Sequence, residues 1–114
     1  MLTYANRRVF LAVGITDMRK AINGLALLVE HALEGNLFSG DLFVFSNRSR
    51  QLIKILYWDH NGFCLWQKRL EKEKFAWPES EAAVSELEAR ELDWLLAGLD
   101  ITKAHQKLVY DSIS

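Results

Sequence analysis

Hydrophobic positions follow two rhythms along this chain. Arg8 to Val13 (RVFLAV) is apolar without a break after its first residue, and its length and β-branched content predict a buried strand that Gly14 ends. From Met18 the spacing turns helical. Met18, Ile22, Leu25, Ala26, Val29 and Leu33 make one stripe, which predicts a helix over about Met18–Leu33, with Asp17 as N-cap and Gly35 as stop. Gly24 costs that helix about 1 kcal/mol relative to alanine, and a close helix-on-sheet contact would explain it. Asp41 to Phe45 (DLFVF) reads as a second strand, entered through Ser39-Gly40. Leu52–Trp58 and Phe63–Leu70 then flank Asp59-His60-Asn61-Gly62, and Asn-Gly between apolar runs is a strong hairpin signal.

With a two- or four-residue loop, one face of this hairpin holds Lys54, Leu56, Trp58, Phe63, Leu65, Gln67 and Arg69. The other holds Ile53, Ile55, Tyr57, Cys64, Trp66, Lys68 and Leu70. Both faces are apolar near the turn and basic near the open end. Such a sheet is expected to be covered on both faces or to leave aromatics for a partner. With a two-residue loop, Lys54 and Arg69 are expected nearly opposite each other, a like-charge pair that an anion, or splaying into water, would relieve. Phe75–Pro78 (FAWP) reads as a short final strand. Ser85 and Glu88 fit a capping box that opens a helix to about Ala97, with Leu92, Leu95, Leu96 and Leu99 buried and Gly98 as stop. Ile101–Ser114 reads as a weak helix or frayed tail.

The fold class expected is α+β. One domain over residues 1–101 has a mixed or antiparallel sheet of four to five strands with a basic hairpin, packed by the Met18–Leu33 and Glu86–Ala97 helices, and a tail follows over 102–114. The β-α-β start predicts one parallel pair. At 114 residues the chain is long enough for its own core.

Charge changes this picture more than composition does. The net charge is −1, but Ser46–Lys74 carries seven cations (Arg48, Arg50, Lys54, Lys68, Arg69, Lys72, Lys74) against three anions. Glu79–Asp100 carries seven anions against Arg90 alone. A basic middle followed by an acidic end points to a charged partner. Arg19 and Lys20, placed in the first turn of the first helix, oppose its dipole, while the free N–H groups there attract anions. A phosphate would suit that arrangement, and so would plain solvation.

Catalytic patterns are missing. There is no nucleophile elbow, phosphate-binding glycine loop, zinc-protease helix or dinucleotide fingerprint. Asp17, Asp41 and Asp59 read as cap, strand-entry and turn residues rather than as metal-binding carboxylates. Cys64 is the single cysteine and reads as a buried reduced thiol. No catalytic residue, metal ligand or cofactor is assigned. No apolar run reaches the ~20 residues that span a membrane, and no signal peptide is evident, so a cytoplasmic protein is expected. Nucleic-acid binding is the more credible chemistry. Arg19, Lys20, Arg48, Arg50, Lys54, Lys68, Arg69, Lys72 and Lys74 are the candidate phosphate contacts, and Trp58 and Trp66 the candidate stacking residues, with core packing as the simpler role for the aromatics.

Three stretches, TDMRKAINGL (Thr16–Leu25), DLFVFSNRSRQLIKILYWDHNGFCLWQKRLEKEKFAWP (Asp41–Pro78) and LDWLLAGLD (Leu92–Asp100), carry a family likeness. The chain resembles the TnpB (Orf2) accessory proteins of the "IS sixty-six" family of bacterial insertion sequences, over roughly residues 7 to 101. The resemblance implies a non-catalytic helper in transposition, with the chemistry carried by a separate transposase. The element's own proteins are the partners this implies, and the basic hairpin surface adds DNA as an expected one. An adaptor that docks on the transposase or another helper without touching DNA is the alternative, and association of the chain with itself stays open.

Overall fold

The computed structural model describes residues 6–31, 35–77 and 84–98. Along the chain run β1 (Val9–Ala12), α1 (Ile22–His31), β2 (Leu42–Ser46), β3 (Leu52–Asp59), β4 (Gly62–Arg69), β5 (Val84–Leu87) and α2 (Ala89–Leu96). The strands form one mixed sheet of order β4-β3-β2-β1-β5. β1 and β2 are parallel, as a β-α-β start predicts, and every other pair is antiparallel.

Both faces of the sheet are covered, because strict alternation sends apolar side chains each way. On one face Val9, Leu11, Leu42, Val44, Ile53 and Ile55 pack with Phe75, Trp77 and the α2 residues Leu92 and Leu95. On the other, Phe43, Phe45 and Leu56 pack with Leu25 and Val29 of α1. All five β2 residues are buried, which explains the uninterrupted apolar run of this central strand. The hairpin faces are those expected. The register Asp59↔Gly62 sets a two-residue loop, His60-Asn61, with His60 at φ +53° and Gly62 already in the strand. Lys54 stands across from Gln67, and Leu52 across from Arg69. The two cations are thus offset by two positions, and the like-charge pair expected of them does not form.

Four local expectations are corrected. First, α1 begins at Ile22 rather than Met18. The Asp17 carboxylate accepts the Arg19 N–H at 3.0 Å and the Asp17 carbonyl accepts the Lys20 N–H at 3.1 Å, closing a separate turn. The Met18 and Lys20 carbonyls, which a longer helix would use internally, instead accept from Lys54 Nζ at 2.8 and 3.1 Å. Arg19 and Lys20 therefore precede the helix. Second, a side chain at Gly24 would meet the Lys20 side chain at 3.1 Å, not the sheet. Third, the last strand is Val84–Leu87, along the outer side of β1. Phe75 and Trp77 form no strand and lie buried as a plug in the core. Fourth, the capping box consequently moves three residues on. Glu88 is the N-cap of α2 and exchanges bonds with Glu91, the Glu88 N–H donating to Glu91 Oε1 at 3.1 Å.

Gly98, at φ +86°, follows α2 as its stop. The positions Leu33, Pro78, Leu99 and the 102–114 tail lie outside the described residues. Gly35 has a sharper role than a helix stop. A Cβ there would stand 2.6 Å from the Phe43 ring and 2.9 Å from Val29 Cγ1, and Phe43 is only 2% exposed, so the ring has nowhere to go. Gly35→Ala should cost about 1–3 kcal/mol through overpacking. A denaturant midpoint equal to that of the parent would contradict this.

Candidate nucleic-acid interface

Three chain segments meet at one end of the sheet. The β2–β3 turn lies where β2 ends and β3 begins, and the segment after β4 is tied to it. The Leu70 N–H donates to the Gln51 carbonyl at 2.8 Å and the Phe75 N–H to the Arg50 carbonyl at 2.7 Å. The loop after β1 joins them through Thr16 N–H to Ser46 O at 3.0 Å and through the two Lys54 bonds. Arg48, Arg50, Arg69, Lys72, Lys74, Arg19 and Lys20 are all carried on these segments or at the strand end beside them.

They differ in availability. Arg48, Lys72, Lys74 and Lys20 are exposed. Arg69 is exposed and lies 3.4 Å from Glu71. Arg19 is almost wholly in solvent and holds Asp17 at 2.8 Å. Arg50, at φ +59°, is half-buried and donates through Nη1 to the Trp77 carbonyl at 3.2 Å.

The two lysines inside the hairpin are structural pieces. Lys54 is 9% exposed, and its ammonium binds the two carbonyls of the β1–α1 loop. Lys68 emerges on the opposite face and donates to the Leu96 carbonyl at 2.8 Å, satisfying an orphan acceptor at the α2 C-terminus and matching its negative dipole end. The two stacking candidates are also separated. Trp66 packs against the α2-side core. Trp58 lies at the hairpin tip, roughly 20 Å along the strand from Leu52, with its ring 5.0 Å from both Phe38 and Phe63. Trp58 is thus at the far end of the hairpin, and Trp66 shares the α2-side face with Lys68.

Asp17 shows the local field most clearly. The hydrogen bonds from the Arg19 side chain, then its backbone N–H, lower the Asp17 carboxyl to about 2. A lowered value means that the carboxylate–Arg19 contact is complete above the ordinary carboxylate range and is lost as the pH falls from about 4 toward 2. Replacing Arg19 by glutamine should return the Asp17 midpoint, followed by NMR, toward that ordinary range. An unmoved midpoint would show that Arg19 is not its partner. Away from this end, the Arg8 side chain lowers the Glu86 carboxyl in the same way, with Nε at 2.8 Å. Burial, and then Cys64, raises the Tyr57 phenol. Cys64 is half-buried rather than buried, and free.

The opposite end carries a feature that the periodicity did not single out. Asn6, Arg7, Phe38, Gly40, Asp41, Trp58, Asp59 and His60 are among the residues lining a cleft of about 320 Å³. Arg7 donates to the Gly40 carbonyl at 3.3 Å, lies 3.5 Å from Asp59 and rests 5.4 Å over the Tyr57 ring. The one signal for it in the sequence is a large aromatic, Phe38, inside the Asn36–Gly40 turn. Among the described residues, no group of three or more His, Cys, Asp and Glu side chains could hold a metal ion, and no helix is long and apolar enough to cross a membrane.

Comparison with known proteins agrees with the resemblance read from the sequence. Two proteins of Sinorhizobium fredii (strain NBRC 101917 / NGR234) are similar to the chain. Protein y4hO is 42% identical over 95 residues, covering 83% of each chain. Protein y4jC is 35% identical over 102 residues, covering 90% of this chain and 87% of its own. Both are described only as uncharacterized. No solved structure matches. Residues 7–106 match the family described as "IS66 Orf2 like protein", a span that takes in the whole sheet and both helices, so this chain belongs to that family of insertion-sequence accessory proteins.

Proposed function

We propose that this protein binds DNA phosphates with the sheet end that carries Arg48, Arg69, Lys72 and Lys74, with Arg19 and Lys20 alongside, and so assists a separate transposase of the same element. What supports the reading is the meeting of three cation-bearing segments at one end, joined by backbone bonds of 2.7–3.0 Å. Segments tied together in this way keep several exposed cations at one end of the sheet, and each cation that neutralises a phosphate adds to the affinity. Lys54 and Lys68 are not needed for this surface, since their ammonium groups already serve carbonyls.

Binding of terminal element DNA and of random DNA, measured across salt, tests the proposal. The triple variant Arg48→Ala, Lys72→Ala, Lys74→Ala should lower the salt slope by about 3, roughly one unit per lost phosphate contact. An unchanged affinity and slope would remove this end of the sheet from the interface. Docking on the transposase without DNA is the second reading. Charge reversal at Glu88 and Glu91 is a poor probe of it, because these two acids cap α2 and their loss would unsettle the helix itself.

A further inference from the structure

The cleft at the hairpin tip has the wrong charge for nucleic acid. Its lining holds two carboxylates, Asp41 and Asp59, against one guanidinium, Arg7. Arg7 is already engaged by Asp59 and by the Gly40 carbonyl. The neighbouring Arg8 turns to Glu86, in two bonds of 2.8 and 3.2 Å. Arg8 also feels the charge of Asp41, so three carboxylates, Asp41, Asp59 and Glu86, stand against two guanidiniums here. A phosphate would add to that negative excess, whereas a cation would complete the set.

The walls add a second preference. Phe38 is 62% exposed, and its ring stands at 77° to that of Trp58 with centroids 5.0 Å apart. Two aromatic planes near a right angle, with carboxylates beside them, are the ingredients of a cation–π site. The exposure of Phe38 is built in. Its N–H donates to Asn36 Oδ1 at 3.0 Å, Ser39 Oγ donates to the Asn36 carbonyl at 2.9 Å, and the Asp41 N–H donates to Ser39 Oγ at 3.1 Å. The turn thus fixes the aromatic and the acid together. The space equals roughly ten waters at about 30 Å³ each, enough for one long side chain.

We infer that this cleft is a docking site for an arginine side chain presented by a protein partner. Guanidinium fits better than ammonium because it is planar, stacks on rings and meets a carboxylate with two N–H groups. This goes beyond the DNA reading and does not depend on it: nucleic acid at one end of the sheet, a basic protein segment at the other.

The test uses the full chain and a short blocked peptide, acetyl-Gly-Arg-Gly-amide, followed through the Trp58 indole and the Gly40 and Asp41 amides by NMR. The arginine peptide should shift these signals saturably. The same peptide with citrulline, which keeps the shape and loses the charge, should bind at least tenfold more weakly. Phe38→Ala, at an exposed position, and Asp41→Asn, which keeps the shape of a half-buried side chain, should each weaken binding several-fold and leave the DNA salt slope unchanged. Equal shifts from the citrulline peptide, no saturable shift, or the same shifts from a short single-stranded oligonucleotide would each overturn the inference.

Discussion

Replacing Phe75 by alanine should lower the stability of this protein by about 3–5 kcal/mol, the range for emptying a buried phenylalanine site. Phe75 is 1% exposed and sits in the core between the sheet and α2. Its N–H donates to the Arg50 carbonyl at 2.7 Å. A loss of that size is a large share of the ~5–15 kcal/mol that holds a domain together. It should appear as a lower denaturant midpoint with an unchanged slope. The effect should reach function as well, since Phe75 and Trp77 anchor the segment bearing Lys72 and Lys74. Lys72→Ala, on the exposed side of the same segment, should leave the midpoint in place and weaken DNA binding only. A loss below 1 kcal/mol for the Phe75 variant would mean that the ring does not fill the core.

Lys54→Met is the second large effect, at about 1.5–3 kcal/mol, the cost of removing a charged donor from its acceptors. Methionine keeps most of the apolar stem, so the packing against Leu56 and its neighbours largely survives. What goes is the bonding of the Met18 and Lys20 carbonyls at 2.8 and 3.1 Å. Recovering the desolvation cost of the buried ammonium offsets part of this, but two carbonyls left without a donor set the sign. The DNA salt slope should not move, which separates Lys54 from the exposed cations. A neutral or stabilising substitution, read from the thermal midpoint, would show that those carbonyls find another donor.

These two residues mark how far the sequence could be read. The hairpin faces followed from alternation, and the cover on both sides followed from those faces. The parallel pair followed from the β-α-β order. What periodicity could not show was the destination of a long polar side chain. Lys54 and Lys68 look like solvated or phosphate-binding cations in a strand, yet each reaches a carbonyl on a different face. The hint was there: each alternates with apolar residues on its own face, Lys54 with Leu56 and Lys68 with Trp66. The fifth strand was hidden for a related reason. VSEL is short and carries two polar residues, and Ser85-x-x-Glu88 imitates a helix start. Only the open side of β1, which is a tertiary fact, makes it a strand. The gathering of Arg48, Arg69, Lys72 and Lys74 at one end could be drawn from the hairpin pattern, whereas the nearness of Arg19 and Lys20 needed the β1–α1 loop to turn back over Ser46.

The position of β1 between β2 and β5 bears on how the protein is made. Its outer neighbour is specified 78 residues downstream, the span bridged by Arg8 and Glu86. At ~5–20 residues per second, a ribosome takes roughly 4–16 s to cover that distance. Until residue 87 clears the exit tunnel, the nascent sheet has an incomplete flank, available to other growing chains on the same messenger. Expression yield should therefore respond to the rate of translation and to chaperone supply more strongly than the stability of the finished fold would suggest.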